Sequence, residues 1–290
     1  MDRVFQEFYP DAKSQEEAPS ELIHVSCTGY RSPSGAQTRV AKLGWGDRTR
    51  VTHAYHMGCY AAVPALRLAQ GALLRARLEN PQDSRPVDVA HTEICSLHFR
   101  PGIAAPDQWV IQSLFADGFI RYAMRAIAPG ESPREAGFKL LATDEVIVPN
   151  TSEEMTWVPS EQGFAMTLGR EVPRAIGRTV RSFVERLFER QGLDFRVEGA
   201  RCLFAVHPGG PRIVDAVEES LELKAHQTAH SREILRERGN LSSATLPHLW
   251  KKLVDDSEIA AGTRVVSLAF GPGLTVCGSL FELVRPEVER

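Results

Sequence analysis

The chain has 290 residues, a net charge of −3 and 43% hydrophobic residues, so it can bury a substantial core in one large domain or two ordinary ones. Its basic residues are spread along the chain rather than clustered, which argues against a nucleic-acid partner. No apolar run approaches the roughly 20 residues of a membrane helix, and the start lacks the apolar stretch of a signal peptide, so we expect a cytoplasmic protein without a membrane partner. The five cysteines are an odd number without zinc-knuckle spacing, so we expect neither disulfides nor bound metal.

The first half of the chain alternates short strand-like and helical segments. The runs ELIHVSC and VDVAHTEICSL predict strands, and a helix is predicted between them, after Cys59. In QWVIQSLFADGFIRYAMRAI the second half suits a strand. The segment APGESPRE, residues 128–135, breaks the pattern, and we therefore predict an α/β domain over residues 1–130.

The second half, residues 131–290, is predicted to form a second domain of the same class. It opens with the strand GFKLLATDEVIVP and continues through TWVPSEQGFAMTL. A helix with one charged and one apolar face then ends at Gly192, and the strand RCLFAVH follows. The closing segments are the helices IVDAVEESLEL, SREILRERG and SSATLPHLWKKLVDD and the hairpin TRVVSLAFGPGLTVCGSLFELV.

Cys59 is the first candidate catalytic residue. Gly58 precedes it, and the residues after it favour a helix, with apolar positions at Ala62 and Leu66. The pattern therefore places the thiol at a helix N-terminus, where the helix dipole favours the thiolate. The alternative is that Cys59 is a small buried hydrophobic residue, as most cysteines are.

His207 and Asn240 complete a possible reactive set. His207 ends a strand before a Pro-Gly-Gly-Pro turn, where it could instead satisfy a turn hydrogen bond, and Asn240 precedes a serine-initiated helix, where it could be a simple cap. An imidazole can take the proton of the Cys59 thiol. The Asn240 amide and an N–H of His207 can donate to an oxygen that becomes negative. This combination suits acyl transfer through a thioester.

A cysteine hydrolase is the first rival interpretation. Papain-like peptidases have cysteine, histidine and asparagine in the same chain order. Their local cysteine signature is absent around Cys59, which is followed by Tyr60 in an unrelated setting. We therefore rank this rival below acyl transfer.

Four motifs in order resemble the chalcone synthase family, the type III polyketide synthases of the thiolase superfamily. GCYAAVPALRLA resembles the nucleophile segment, HPGGPRIVDAVE the histidine segment, GNLSSA the asparagine segment and FGPGLT the C-terminal glycine loop. Related ketoacyl synthases share the three residue types but not these Pro-Gly-Gly-Pro and Gly-Asn-x-Ser-Ser settings. The resemblance implies a thiolase-like αβαβα layered fold of two similar halves and a homodimer.

The resemblance also implies an activity and the residues that carry it. Cys59 would hold the acyl group, while His207 and Asn240 would bind the thioester carbonyl and stabilise the enolate left by malonyl decarboxylation. The substrates would be an acyl-CoA, or a starter on an acyl carrier protein, and malonyl-CoA. No bound cofactor is expected, because the thiol, imidazole and amide do the chemistry.

The same resemblance implies four substrate-binding positions. LFADG resembles the family's LFGDG and places Phe115 at an aromatic gatekeeper position. GFAMTL resembles the segment of a second gatekeeper phenylalanine, where this chain has Met166, and CSLHFRP resembles a cavity-lining stretch with His98 in place of a small polar residue. Ser242 matches the family's serine near the asparagine.

The chain departs from the family pattern at its start. Only 58 residues precede Cys59, fewer than in family members, so we expect an incomplete N-terminal half and reduced binding of coenzyme A. Residues 1–21 are expected not to replace the lost strand, which would leave apolar surface and unpaired backbone groups on strands such as ELIHVSC. The alternative function is accordingly a catalytically silent thiolase-fold subunit or acyl-binding scaffold.

Overall fold

The computed structural model of the chain describes residues 1–11, 15–100, 102, 106–128, 130–161 and 163–286. The strands in these ranges are β1 (Glu21–Ser26), β2 (Arg50–Tyr55), β3 (Val87–Glu93), β4 (Gly118–Met124), β5 (Gly137–Ile147), β6 (Met155–Ser160), β7 (Gly163–Leu168), β8 (Leu203–Val206), β9 (Arg264–Gly271) and β10 (Thr275–Val284). The helices are α1 (Asp2–Phe8), α2 (Gly35–Lys42), α3 (Ala62–Glu79), α4 (Pro106–Leu114), α5 (Val172–Glu189), α6 (Phe195–Glu198), α7 (Pro211–Leu221), α8 (Ala229–Arg238) and α9 (Thr245–Asp255).

Each half of the chain contributes one four-stranded sheet. The first has the order β2-β1-β3-β4, with β1 parallel to β2 and β3, and β4 antiparallel to β3. The second has the order β5-β10-β9-β8, in which β9 and β10 form the predicted hairpin and β8 runs parallel to β9. Strands β6 and β7 form a separate antiparallel hairpin.

A layer of helices lies between the two sheets. One face of α3 packs through Ala65 and Ala69 on the first sheet, and another packs through Val63 and Leu66 on the second. Helix α9 makes the same connection, because the Trp250 ring lies between Tyr122 of β4 and Phe281 of β10, at ring-centroid distances of 5.7 and 5.4 Å. Because helices cover both faces of the sheets, β1 is buried along its whole length and β9 from its second residue onwards.

Two outer helix layers complete the fold. On the second sheet, the apolar face of α5 buries Val180, Phe183 and Leu187 against strands β9 and β10. On the first sheet, α1 and α2 cover the outer side of β1 through Phe5 and Val40. The resulting order, helix, sheet, helix, sheet, helix, confirms the predicted α/β fold class with a sheet in each half, whereas the domain boundary at residue 130 stays a prediction.

The expectation that residues 1–21 leave β1 uncovered is wrong. All six residues of β1 are buried. Phe5 and Tyr9 pack in the cluster on the outer side of β1 and β3, and the Tyr9 hydroxyl donates to Asp88 Oδ2 at 2.6 Å. The expectation considered the polar segment PDAKSQEEAPSE and overlooked the amphipathic turn VFQEFY before it, which supplies the apolar cover.

None of the helices in the described ranges is both long enough and apolar enough to cross a membrane.

Candidate active site

Cys59 lies in the turn between β2 and α3. Strand β2 ends at Tyr55 and α3 begins at Ala62, so the thiol precedes the first helical residue by three positions. Gly58 has a φ of +81°, and a Cβ there would lie 2.5 Å from Cδ of Pro272. Glycine is therefore the residue that lets this turn approach the glycine loop of the second half.

The surroundings of Cys59 favour the neutral thiol. The residue is 8% exposed, and its Sγ lies 3.8 Å from Oγ of Ser242. Burial raises the pKa of the Cys59 thiol to about 12; hydrogen bonds from Ser242 and Asn240 lower it, and the Glu93 charge raises it further. The expectation that the helix start favours a thiolate is therefore wrong, because loss of solvation outweighs the dipole of a helix that begins three residues later.

Asn240 is held by backbone and side-chain hydrogen bonds. Its backbone N–H donates to Leu114 O at 2.7 Å, and its carbonyl accepts from the Ala116 N–H at 2.9 Å. The side-chain Oδ1 accepts from the Ser242 N–H at 2.9 Å, and Nδ2 donates to Gly209 O at 3.5 Å. Because Oδ1 faces a donor, the orientation of the amide is fixed, and its two N–H groups face Gly209 and Cys59.

His207 follows β8, and its backbone continues the pairing with β9 by donating to Leu268 O at 2.7 Å. The residue is 1% exposed, and neither ring nitrogen has a hydrogen-bond partner in the described part of the chain. Burial lowers the pKa of His207 to about 4. The imidazole is therefore neutral at pH 7, with one nitrogen that can accept a proton and one that can donate.

Hydrogen bonds connect the segments of the three predicted catalytic residues, although His207 and Asn240 are not among the residues that line the cavity described below. Ser242 contacts Cys59 with its hydroxyl and Asn240 with its backbone N–H, and Gly209 connects the loop after His207 to the Asn240 amide. No hydrogen bond joins His207 to Cys59 among the described residues. We call Cys59, His207, Asn240 and Ser242 the nucleophile cluster, and the chemical roles of its members stay predictions.

Cys59 and Ser242 open into a cavity of about 410 Å³, a volume typical of small-molecule sites. The other three predicted substrate residues also line it. Phe115 lies beside Asn240, because its neighbours Leu114 and Ala116 form backbone hydrogen bonds with Asn240. Met166 lies opposite Trp157 in the β6–β7 hairpin. The cavity wall is formed by Cys27, Thr28, Gly58, Cys59, Cys95, Ser96, His98, Phe99, Arg100, Gln108, Ile111, Gln112, Phe115, Ala116, Asp117, Met155, Trp157, Phe164, Met166, Ser242 and Pro272.

Part of the wall is an aromatic group tied to the end of β1. Trp157 Nε1–H donates to Cys27 O, and His98 Nε2–H donates to Thr28 O, both at 2.7 Å. The Phe164 N–H donates to His98 Nδ1 at 3.2 Å, which fixes the proton of the imidazole on Nε2. We call His98, Trp157 and Phe164 the aromatic wall.

A buried carboxylate lies beneath the nucleophile cluster. Glu93 accepts hydrogen bonds from the Cys27 N–H at 3.0 Å, the Thr28 hydroxyl at 2.8 Å and the Ser243 hydroxyl. Burial raises the pKa of Glu93, against the effect of these donors. Within the described ranges no group of three or more histidine, cysteine or acidic side chains is placed to hold a metal ion.

Sequence reasoning missed several residues of this site. Glu93 had a usable signal, because a carboxylate at the end of a predicted buried strand must find donors. Trp157 and Phe164 had none, because a hairpin with alternating residues does not say which face meets a cavity. Cys95 and Arg100 lie in CSLHFRP, the stretch that the resemblance placed at the cavity, whereas nothing in the sequence indicated this for Cys27.

Comparison with known proteins identifies the family. The family model "Chalcone and stilbene synthases, N-terminal domain" matches residues 14–126, and "Chalcone and stilbene synthases, C-terminal domain" matches residues 139–285. The chain belongs to the chalcone and stilbene synthase family. The matches include the segments of Cys59, His207 and Asn240, and the resemblance seen in the four motifs is confirmed.

A curated relative and two solved structures place the chain among type III polyketide synthases. "Type III polyketide synthase C" of Arabidopsis thaliana is 32% identical over 269 residues, which are 90% of this chain and 66% of the relative, so the chain spans about two thirds of that relative's length. The C-terminal type III polyketide synthase domain of Dictyostelium Steely1 aligns with a TM-score of 0.83 at 25% identity, over 97% of this chain and 75% of that one. The 1,3,6,8-tetrahydroxynaphthalene synthase of Streptomyces coelicolor aligns with a TM-score of 0.82 at 26% identity, over 98% and 77%. These findings set the cysteine hydrolase interpretation aside.

Proposed function

We propose that this chain is an acyltransferase that extends an acyl-CoA starter with malonyl-CoA through a thioester on Cys59. The observation that carries the proposal is the position of Cys59, whose thiol opens into the cavity and is hydrogen-bonded to Ser242, next to an Asn240 amide of fixed orientation. Family membership supports the same reaction.

In the loading step, the Cys59 sulfur attacks the thioester carbonyl of the starter. The thiol is protonated and His207 is neutral, so the imidazole can accept the proton as the carbon–sulfur bond forms. The carbonyl oxygen becomes negative in the tetrahedral intermediate and accepts hydrogen bonds from the Asn240 amide and from the imidazole. Coenzyme A leaves as its thiol after taking the proton back.

In the extension step, malonyl-CoA loses CO2, and the electron pair of the broken carbon–carbon bond forms an enolate of the remaining thioester. The donors of His207 and Asn240 stabilise the enolate oxygen. The enolate carbon attacks the carbonyl carbon of the acyl group on Cys59, and the cysteine leaves as thiolate and regains a proton. The product is a β-ketoacyl-CoA that is two carbons longer.

The buried polar atoms of the nucleophile cluster support this division of roles. Buried polar groups are normally hydrogen-bonded, and an unpaired one costs about 1–3 kcal/mol. Both ring nitrogens of His207 are unpaired, while the amide oxygen of Asn240 is occupied. Bound substrate oxygen would satisfy the donors that the protein leaves free.

We also infer the substrates, the partners and the oligomeric state of the protein. CoA thioesters serve as substrates without a bound cofactor, an acyl carrier protein is a second possible source of the starter, and the working unit is a homodimer in the cytoplasm. The loading and extension steps both transfer an acyl group, the second of them to carbon, so the proposed enzyme class is an acyltransferase that acts as a synthase.

Intact-mass measurement after incubation with hexanoyl-CoA tests the proposal. We expect a gain of one hexanoyl group on the wild-type chain and none on Cys59→Ala. The matched control Cys202→Ala removes a buried thiol that does not line the cavity and should still gain the group. A folded wild-type chain that gains nothing, with CoA binding intact, would instead support the acyl-binding scaffold.

A further inference from the structure

Arg100 places a positive charge on the wall of the cavity that holds Cys59. Its Nη2 donates to Ser160 Oγ at 2.5 Å, and its Nε is buried without a partner in the described part of the chain. No ion pair joins its guanidinium to a carboxylate of the described residues. A guanidinium carries five N–H donors; the Nε–H is enclosed by protein and one Nη2–H is used, so the other Nη donors are without a protein partner in the described part of the chain.

The cavity wall pairs no carboxylate with this charge in the described part of the chain. Asp117 also lines the cavity, but its carboxylate bonds to Ser96 rather than to Arg100, accepting from the Ser96 N–H and hydroxyl, both at 2.8 Å. The remaining surface is mainly apolar, with large contributions from Ile111, Phe115, Met155, Trp157, Phe164 and Met166. A single cation in apolar surroundings favours a ligand that is apolar along its length and negative at one point.

We propose that the starter bound here is an acyl group with a carboxylate at its far end, held by Arg100 while its thioester end reaches Cys59. The inference rests on the proposed function, since the same cavity receives the acyl group. A planar guanidinium fits a carboxylate through two parallel hydrogen bonds, and such charge-assisted pairs are the strong ones.

The extender malonyl group is not the ligand that this contact serves. Its carboxylate must lose its charge to the enolate as CO2 leaves. A cation bound to that carboxylate would stabilise the ground state more than the transition state and would slow the step. A carboxylate that persists through the reaction, as in a dicarboxylic starter, keeps the contact with Arg100 in both states.

Equilibrium binding to Cys59→Ala tests the inference without requiring turnover. Calorimetry compares succinyl-, glutaryl- and adipyl-CoA with their neutral counterparts of equal length, butyryl-, pentanoyl- and hexanoyl-CoA, and with CoA alone. We expect at least one dicarboxylic thioester to bind about tenfold more tightly than its neutral counterpart, because charge-assisted hydrogen bonds are stronger than neutral ones. Adding Arg100→Met should bring that ratio close to one. Arg100→Lys, which keeps the charge but loses the planar fork, should give an intermediate ratio.

Arg178→Met is the matched control, because Arg178 is an exposed arginine on α5 outside the cavity, and it should leave the ratio unchanged.

Equal binding of the dicarboxylic and neutral thioesters at all three lengths would overturn the inference. So would an equal loss of affinity for CoA alone in Arg100→Met, which would assign Arg100 to a phosphate of CoA. If Arg100→Met does not fold, the ratio for Arg100→Lys decides. A wild-type chain that binds dicarboxylic thioesters selectively but never loads Cys59 would leave this inference standing and contradict the proposed function.

Discussion

The nucleophile cluster and the aromatic wall border the same cavity but use their polar atoms differently. In the cluster, both ring nitrogens of His207 are unpaired, and the Asn240 amide hydrogen-bonds to Gly209 and Cys59. In the wall, the ring N–H groups of Trp157 and His98 donate to the consecutive carbonyls of Cys27 and Thr28. The nucleophile cluster therefore leaves polar atoms without a protein partner, whereas the aromatic wall uses its ring N–H donors to fix the positions of its own side chains.

Because of this difference, we expect the nucleophile cluster to carry the chemistry and the aromatic wall to decide which acyl groups bind. Free donors in a buried site can stabilise charge that appears during a reaction, because they have no competing protein partner. Rings fixed by hydrogen bonds at 2.7 Å to the end of β1 set the size of the cavity and keep it constant. Substitutions in the cluster should therefore change rates, while substitutions in the wall should change which acyl groups fit.

The largest expected effect separates the members of the cluster. Cys59→Ala should lose acyl loading completely but still convert malonyl-CoA to acetyl-CoA and CO2, because decarboxylation needs the enolate donors and no acyl-enzyme. His207→Ala and Asn240→Ala should slow that decarboxylation by about 100- to 1,000-fold. Chromatography of the CoA products measures the rates.

The exposed His226 provides the control for this comparison, because His226→Ala removes an imidazole at the surface. Each variant should have the melting temperature of the wild type, so that a slower decarboxylation is not caused by unfolding. Equal decarboxylation by the Cys59, His207 and Asn240 variants would contradict the assignment of enolate stabilisation to the histidine and the asparagine.

The turn that presents Cys59 offers a second test of how rigidly the cluster is built. Gly58→Ala should lower the free energy of unfolding by more than about 2 kcal/mol, since it adds a methyl group 2.5 Å from Pro272 at a positive φ. Gly262→Ala is the matched control, because Gly262 has a similar φ of +83° and open space around the added Cβ, so its cost should be about 1 kcal/mol. Urea unfolding measures both, and equal costs would show that the contact with Pro272 relaxes freely.

The aromatic wall is tested by the length of the acyl group that the cavity accepts. Trp157→Ala removes the largest ring of the wall and its hydrogen bond to Cys27, so longer acyl-CoAs should load about tenfold better relative to short ones, with the decarboxylation rate nearly unchanged. Trp109→Ala removes a tryptophan on α4 that is 60% exposed and does not line the cavity, and it should leave the length preference as it is. An unchanged preference in Trp157→Ala would assign the length limit to another part of the cavity.

The last prediction concerns the stability that a neutral, buried His207 contributes. Burial lowers the pKa of His207 from 6.5 to about 4, so between these values the unfolded chain binds a proton that the folded chain does not. The contribution of His207 to the free energy of unfolding should be fully present above pH 6.5 and should fall as the pH drops towards 4, by up to about 3 kcal/mol. His24, His91 and His248, whose pKa values are also lowered by burial, add losses of the same sign.

His207→Gln isolates this contribution, because it keeps a polar side chain of similar size without titrating. The free energy of unfolding in urea, measured at pH 6.5, 5 and 4, should fall less steeply in the variant than in the wild type. Parallel pH dependences would show that His207 is not held neutral in the folded chain, which would remove the proton acceptor of the loading step.

Sequence patterns alone determined the classes of element and the motifs. Short runs rich in β-forming residues indicated β1 and β9, one charged and one apolar face indicated α5, and the glycine between FGP and LT marked the hairpin of β9 and β10. These features depend on neighbours along the chain, which is why they can be recognised without a structure. The segments of Cys59, His207 and Asn240 were found for the same reason, each within a short and specific motif.

Tertiary structure decided what surrounds those residues. Burial in the fold and the charge of Glu93, 34 positions away, raise the pKa of Cys59, while the hydrogen bond from Ser242, 183 positions away, lowers it. Likewise, Arg100 and Trp157 share a wall with Cys59 only because the β6–β7 hairpin folds back on the end of β1. Solvation and charge depend on every group within a few ångströms, whatever its distance along the chain, so the sequence indicated the candidate residues and the fold set their surroundings.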